Sequence, residues 1–287
     1  VADLNAGGTV TPKGGNLLTE LAFGIVGDTR PPSKDDLQSY PTSIITKIWQ
    51  DVAAEVPSLP FVLTTGDYVF ASPNGTSAAP QFDLYLGARA AFSGQVFAAL
   101  GNHECTGFTA SNCGPGSKDG APVNYTTFLD KMVKPLGVDV PWYRVQYAAQ
   151  DGSWTAKVVV IAANAWNPQQ ESWLEAALTE PTTYTFVVRH ESSFAQNAPG
   201  VAPSQAIVAR HPLTMLIAGH THTYEHHQGS REVIVGHGGA PLTSSVNYGY
   251  VVARRQADAS VRFTAYDYQS HAVVDTFAVH ADGSPAP

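Results

Sequence analysis

The chain has 287 residues, of which 44% are hydrophobic and only 14% charged, a balance that excludes disorder as the default and leaves enough apolar side chains for a sizeable core. Sixteen Lys and Arg against 24 Asp and Glu give a formal charge of −8, and the basic residues are scattered, the densest pair being Arg254 and Arg255, so a nucleic acid duplex is not an expected partner. The longest unbroken apolar run, 158–163, falls far short of the ~20 residues that span a bilayer, so neither a membrane span nor an intact signal peptide is expected.

Residues 1–20 are rich in Gly, Thr and Asn and read as an irregular lead-in. Ala22-Phe23-Gly24-Ile25-Val26 is a short apolar run ending in Gly27-Asp28, the pattern of a buried strand that delivers a polar residue at its C-terminal end. Ile44, Ile48, Val52 and Val56 recur every four residues with Ile45 and Trp49 beside them, which predicts an amphipathic helix stopped by Pro57 and Pro60. The alternation then returns. Phe61-Val62-Leu63-Thr64-Thr65 runs into Gly66-Asp67, a helix is expected over 81–92, and Val96-Phe97-Ala98-Ala99-Leu100 runs into Gly101-Asn102. Residues 142–147 and 157–162 are strand-like. Asn167-Pro168, an N-cap followed by proline at the first helical position, opens a helix whose apolar face is Trp173, Leu174, Ala177 and Leu178. Residues 184–188 reach His190, and 213–218 reach Gly219-His220. From Arg231 onward the chain reads as strand and turn, at 231–235, 248–253, 261–266 and 272–277. No linker-like shift in composition interrupts 21–280, which is expected to form one α/β domain, and 281–287 is expected to be a frayed tail.

The two cysteines, Cys105 and Cys113, bracket one short loop. A bridge between them is expected. In the chain-entropy model it would stabilise by ~2–3 kcal/mol, and its persistence needs an oxidising compartment, periplasmic or extracellular. The alternative is a pair of reduced loop thiols.

Five strand ends deliver polar groups: Asp28, Asp67, Asn102 with His103, His190, and His220 with His222. In α/β sheets the carboxyl ends of strands line the ligand crevice, so these tips are expected to converge. Two carboxylates, an amide oxygen and several imidazoles are the mixed O/N donor set of borderline divalent metals.

In order, Gly27-Asp28, Gly66-Asp67, Gly101-Asn102-His103-Glu104, Val187-Val188-Arg189-His190 and Gly219-His220-Thr221-His222 resemble the GD, GD, GNH(D/E), VxxH and GHxH blocks of calcineurin-like metallophosphoesterases and purple acid phosphatases. Gly236-His237-Gly238-Gly239-Ala240-Pro241 resembles the glycine-rich loop that often follows. The resemblance covers about residues 21–250. It implies a calcineurin-like four-layer sandwich, two mixed β-sheets flanked by helices, and metal-dependent hydrolysis of a small-molecule phosphate ester with one or two divalent ions, Mn, Zn or Fe. Carried over residue by residue, Asp67 would bridge two metals, Asn102, His190 and His220 would complete the second site, and Asp28 and His222 would serve the first. His103 would stand beside the scissile phosphate and protonate the departing oxygen.

Two positions depart from the pattern. Most relatives carry His two residues after the first Asp, or Gly there with Tyr three residues after the second; this chain has Arg30 and Phe70. Guanidinium has no free lone pair for a metal, Phe70 has no donor atom, and Tyr68 is out of register. The first site is therefore expected to be weak or absent, with Arg30 acting on the phosphoryl oxygens as a fixed cation. Arg30, Tyr68 and His237 are the candidate substrate contacts. Glu104 is open between support of a ligand and a loop surface charge, and His226 and His227 between pocket lining and a solvated pair. His211, His271 and His280 lack motif context and are expected in packing or at the surface. Phosphodiesters are the favoured substrates, with monoesters or triesters the alternatives on the same site. A catalytically silent, ligand-binding relative is the alternative of another class, against which the retention of six ligands and His103 argues. A β-rich adhesion protein would leave the strand-tip histidines unexplained.

Overall fold

The structure is a computed structural model that describes residues 4–73, 75–106, 113, 122–195 and 198–287. In chain order, β1 (Gly8–Val10), β2 (Leu17–Leu18) and β3 (Ala22–Val26) precede α1 (Thr42–Ala54), β4 (Phe61–Thr64), α2 (Ala78–Ala88), β5 (Gln95–Ala98), α3 (Asn102–Thr106) and α4 (Pro122–Phe128). They are followed by β6 (Tyr143–Ala149), β7 (Thr155–Ile161), α5 (Pro168–Thr179), β8 (Tyr184–Arg189), α6 (Val201–Val208), β9 (Met215–Ala218), β10 (Tyr224–His226) and β11 (Glu232–Val235). The strands β12 (Gly249–Arg255), β13 (Val261–Asp267), β14 (Val273–Val279) and β15 (Pro285–Ala286) complete the chain.

Two mixed sheets form the body. Among the described residues one runs β15-β14-β13-β12-β3-β4-β5 and the other β1-β6-β7-β8-β9-β11-β10, with β2 also pairing β6. The sheets face each other through aromatic contacts. Phe23 of β3 meets Phe186 of β8 edge-on at 4.9 Å, and Phe61 of β4 stacks on Tyr147 of β6 at 4.8 Å. On the outer side of β3, α1 buries Ile45, Ile48, Trp49 and Val52, the stripe that its four-residue periodicity requires. Asn167 caps α5 by accepting the Gln170 N–H at 2.9 Å, which leaves Trp173 and Leu174 fully buried.

The parallel strands matter most for function. β3, β4 and β5 are parallel neighbours in one sheet, as are β7, β8 and β9 in the other. Their C-terminal ends open at the same end of the sandwich.

The ends of the chain correct two expectations. The lead-in is not irregular, because Gly8–Val10 pairs in parallel with β6 and Leu17–Leu18 pairs with the same strand further on. Nor is the tail frayed: Pro285–Ala286 pairs with β14, and the Ala281 carbonyl accepts the Thr214 hydroxyl at 2.7 Å. These three short strands cover sheet edges whose backbone groups would otherwise stay unpaired. The helix expected over 81–92 lies instead at Ala78–Ala88. Among the described residues no helix is long and apolar enough to cross a membrane.

Candidate metal centre

Each tip of the parallel strands turns sharply. Asp28, Asp67, His220 and His222 all sit at positive φ, between 50° and 71°, a region that non-glycine residues enter at a cost. Glycines at the strand tips allow a close approach. A Cβ at Gly101 would stand 2.3 Å from Asp67 Oδ1, and one at Gly219 would stand 2.3 Å from Asp28 Oδ2. Only glycine lets these tips close on one another.

Asp67 is at the centre. Its Oδ1 lies 3.3 Å from His190 Nε2 and accepts the His103 N–H at 3.1 Å. Its Oδ2 lies 3.8 Å from Arg30 Nε, 3.8 Å from His103 Nε2 and 4.0 Å from His222 Nε2. Burial works against its charge, but the His103 and Arg30 side chains beside it help outweigh this and the carboxyl is held well below the usual range. Asp28 is the opposite case. Burial first and then Asp67 raise its pKa well above normal, although both its oxygens accept the His220 N–H. Two buried carboxylates of unlike proton affinity flank this centre.

The imidazoles are oriented for ligation. His190 Nδ1 donates to the Thr65 carbonyl at 2.8 Å, so Nε2 carries the lone pair. That lone pair faces two oxygen acceptors, Asn102 Oδ1 at 3.0 Å and Asp67 Oδ1 at 3.3 Å, with His220 Nδ1 at 3.2 Å. His220 Nδ1 is also 3.1 Å from Asn102 Oδ1. Oxygen and imidazole ligand atoms gathered this closely are a donor set that a borderline divalent cation would hold together. Burial lowers the pKa of His190 to about 3 and lowers that of His220 as well, so both are neutral, as metal ligands must be. His222 Nδ1 donates to the Pro241 carbonyl at 2.9 Å, leaving Nε2 aimed at Asp28 Oδ1, 3.6 Å away. These backbone carbonyls are the outer partners that metal-binding histidines usually need. The donor set therefore fits a divalent transition metal, and Asp28, Asp67 and His190 form one group close enough to hold one.

Arg30 reaches the same centre. Its Cζ lies 4.9 Å from the centre of the Phe70 ring, and Phe70 in turn meets the His103 ring edge-on at 4.5 Å. Its Nη1 donates to the Pro31 carbonyl at 3.0 Å, and its buried Nε has no hydrogen-bond partner. The guanidinium thus stands beside Asp67 Oδ2, the oxygen that His103 and His222 also approach.

Two expected substrate contacts lie elsewhere. Tyr68 is buried in the core, its hydroxyl on Thr64 Oγ1 and the Ala99 carbonyl and its ring against Phe82, Tyr85 and Phe128. Because the three successive N–H groups of residues 67–69 all turn to one carboxylate, the Tyr68 side chain is thrown inward. His237 is also buried, and it lines a separate cavity of about 280 Å³ with Tyr224, Asn247, Tyr266 and Asp267. His226 stacks on Phe277 and the exposed His227 pairs with Glu225. His211 bonds Glu175.

Glu104 proves to be a fully buried clamp. Its carboxylate accepts N–H groups from Gly101 and Asp67 at 2.9 Å, Tyr68 at 2.7 Å and Val69 at 3.0 Å. Burial and Asp67 push its pKa up, and the backbone donors pull it down. Its place three residues after Gly101 on α3 was the only sequence signal for this role. Cys105 and Cys113 are bridged, and the Cys113 N–H donates to the Asn164 carbonyl at 2.8 Å. The loop between them lies outside the described residues.

Two mixed sheets that bring carboxylate, amide and imidazole donors together at one end define a metallophosphoesterase scaffold. The chain belongs to the calcineurin-like phosphoesterase family, whose model matches residues 22–224. That family hydrolyses phosphate esters with divalent metals. Among solved structures, the purple acid phosphatase PPD1 of yellow lupin (Lupinus luteus) seeds is similar at a TM-score of 0.66 and 16% identity, covering 95% of this chain and 57% of its own. GAP50 of Plasmodium, described as the anchor in the inner membrane complex, is similar at a TM-score of 0.62 and 13% identity, covering 92% of this chain and 90% of its own. At these identities the likeness is one of fold, and the chain spans little more than half the length of the lupin enzyme. No curated protein matches the chain.

Proposed function

We propose that this protein is a phosphodiesterase of the family, with Asp67, Asn102, His190 and His220 holding one divalent ion, Asp28 and His222 serving a weaker first site, and Arg30 and His103 acting on the substrate. The observation that carries the reading is the His190 Nε2 lone pair set against Asn102 Oδ1 and Asp67 Oδ1 at 3.0 and 3.3 Å. A silent relative would have no reason to gather these ligand atoms at one point.

A divalent ion bound there supplies Lewis-acid polarisation of the phosphoryl group and acidifies water. The protein's own groups do the rest. Arg30 presents N–H groups to the phosphoryl oxygens, a geometry suited to an oxyanion whose charge grows in the transition state. His103, anchored by its backbone to Asp67 and by its ring to Phe70, holds a proton for the departing oxygen.

The ester class follows from charge. With metal bound and both Asp28 and Asp67 ionised, one divalent ion and Arg30 leave a single net positive charge. That suits the one charge of a diester and falls short of the two of a monoester. The disulfide supports action in the periplasm or outside the cell. Turnover of bis-para-nitrophenyl phosphate, para-nitrophenyl phosphate and a triester, measured beside metal content, tests the reading. Diester turnover that depends on bound metal is expected. Faster monoester turnover would reassign the ester class, and no metal-dependent turnover of any of the three would end the proposal.

A further inference from the structure

The residue after His190 is a glutamate that the family pattern leaves without a role. Glu191 is fully buried. Its Oε1 accepts a hydrogen bond from the Asn164 side-chain amide, and its Oε2 has no hydrogen-bond partner. A buried carboxylate oxygen without a donor is among the costliest polar groups a fold can hold. Its placement explains the cost. A carboxylate oxygen of Glu191 and ring nitrogens of His190 and His220 all lie within 4.8 Å of one another. Glu191 therefore shares the two imidazoles that meet Asn102 and Asp67.

Glu191 is fixed at its main chain and at its carboxylate. The fully buried Arg189 donates Nε to the Glu191 main-chain carbonyl at 2.8 Å, while its Nη1 holds Ser204 Oγ at 2.9 Å. Asn164, which donates to Oε1, is itself held at its carbonyl by the Cys113 N–H. Both the end of β8 and the bridged Cys113 thus set where the glutamate stands.

We propose that Glu191 is a further ligand of the second-site metal, adding a carboxylate to Asp67, Asn102, His190 and His220. The proposal rests on the metal-dependent reading above and deepens it. Three oxygen donors and two imidazoles make a harder set than the family's own four, which moves selectivity toward Mn²⁺ or Fe²⁺ and away from Zn²⁺.

The test is calorimetric titration of the metal-stripped 287-residue protein with Mn²⁺ and, separately, Zn²⁺, with metal content checked by elemental analysis. Glu191→Gln should bind Mn²⁺ about tenfold or more weakly than wild type, with Zn²⁺ affinity falling less. Metal-free Glu191→Gln should melt no lower than metal-free wild type, because a buried carboxylate with an orphaned oxygen has been neutralised, while its rise in Tm on adding Mn²⁺ should shrink. If Glu191→Gln does not fold, Glu191→Asp, which keeps the charge and shortens the reach, should show the same weakening of Mn²⁺. Equal Mn²⁺ affinity and an equal metal-induced rise in Tm in variant and wild type would overturn the proposal and leave the functional reading standing. Wild type that binds neither metal would overturn both.

Discussion

The Glu104 carboxylate accepts the backbone N–H of Asp67 at 2.9 Å, and it accepts those of Tyr68, Val69 and Gly101 as well. One side chain on α3 thus sets the shape of the loop that carries the central carboxylate. Glu104→Ala should cost several kcal/mol of unfolding free energy, at about 1–3 kcal/mol for each buried N–H left without an acceptor. Denaturant unfolding measures this, and a loss below about 1 kcal/mol would show that the loop keeps its shape by other means.

Removing a second-site ligand should take metal and turnover together. His220→Ala deletes a nitrogen that meets both Asn102 Oδ1 and His190 Nε2. Elemental analysis should find less than half the wild-type metal, with a matching loss of diesterase activity. Wild-type turnover by this variant after chelation and metal re-addition would move the site elsewhere.

His103 should matter most where the leaving group is poor, since a good one departs without a proton. On an alkyl ester His103→Ala should lose ~10²–10⁴-fold in kcat, and on a para-nitrophenyl ester much less. Equal losses on both would assign His103 to charge stabilisation, through its approach to Asp67 Oδ2.

Arg30→His restores the ligand type that most relatives carry while deleting the cation beside Asp67. More metal bound per chain is expected, together with a shift of relative turnover from diesters toward monoesters. Unchanged metal content with unchanged kinetics would reduce Arg30 to packing on Phe70.

Burial lowers the pKa of His237 to about 3, against ~6.5 for an unfolded histidine. Between these values the unfolded chain binds the extra proton, so stability rises with pH across the window and is fully present above it. One such group contributes a slope of ~1.4 kcal/mol per pH unit. His237→Gln should therefore lose stability less steeply than wild type as pH falls from 6.5 to 4. An unchanged slope in chemical denaturation would show that His237 takes up its proton inside the fold.

The strand tips were legible because apolar runs such as Phe61–Thr64 and Met215–Ala218 stop at glycine followed by a polar residue, a local signal that needs no knowledge of the rest of the chain. Local signals also placed α1 and the Asn167 cap. What was not legible depended on distant partners. Glu104 reads the same in sequence whether it faces solvent or Asp67, and Glu191 gains meaning only when Asn164 and His220 close around it. Tyr68 was misjudged because its neighbour Asp67 is a site residue; the clamp at residues 67–69 turns its ring to Phe82 and Tyr85. The edge strands Gly8–Val10 and Pro285–Ala286 are too short to show periodicity, and only their pairing with β6 and β14 defines them.

The left-handed backbone at Asp28, Asp67, His220 and His222 has a consequence for anyone engineering this protein. Strain of about 1–3 kcal/mol at each such residue makes these positions attractive to any screen for heat resistance, because glycine there would relax the turn. The same substitutions would strip the donors from the centre. Selection for thermal survival alone should therefore enrich inactive chains, and a library meant to harden the enzyme needs turnover scored in every round.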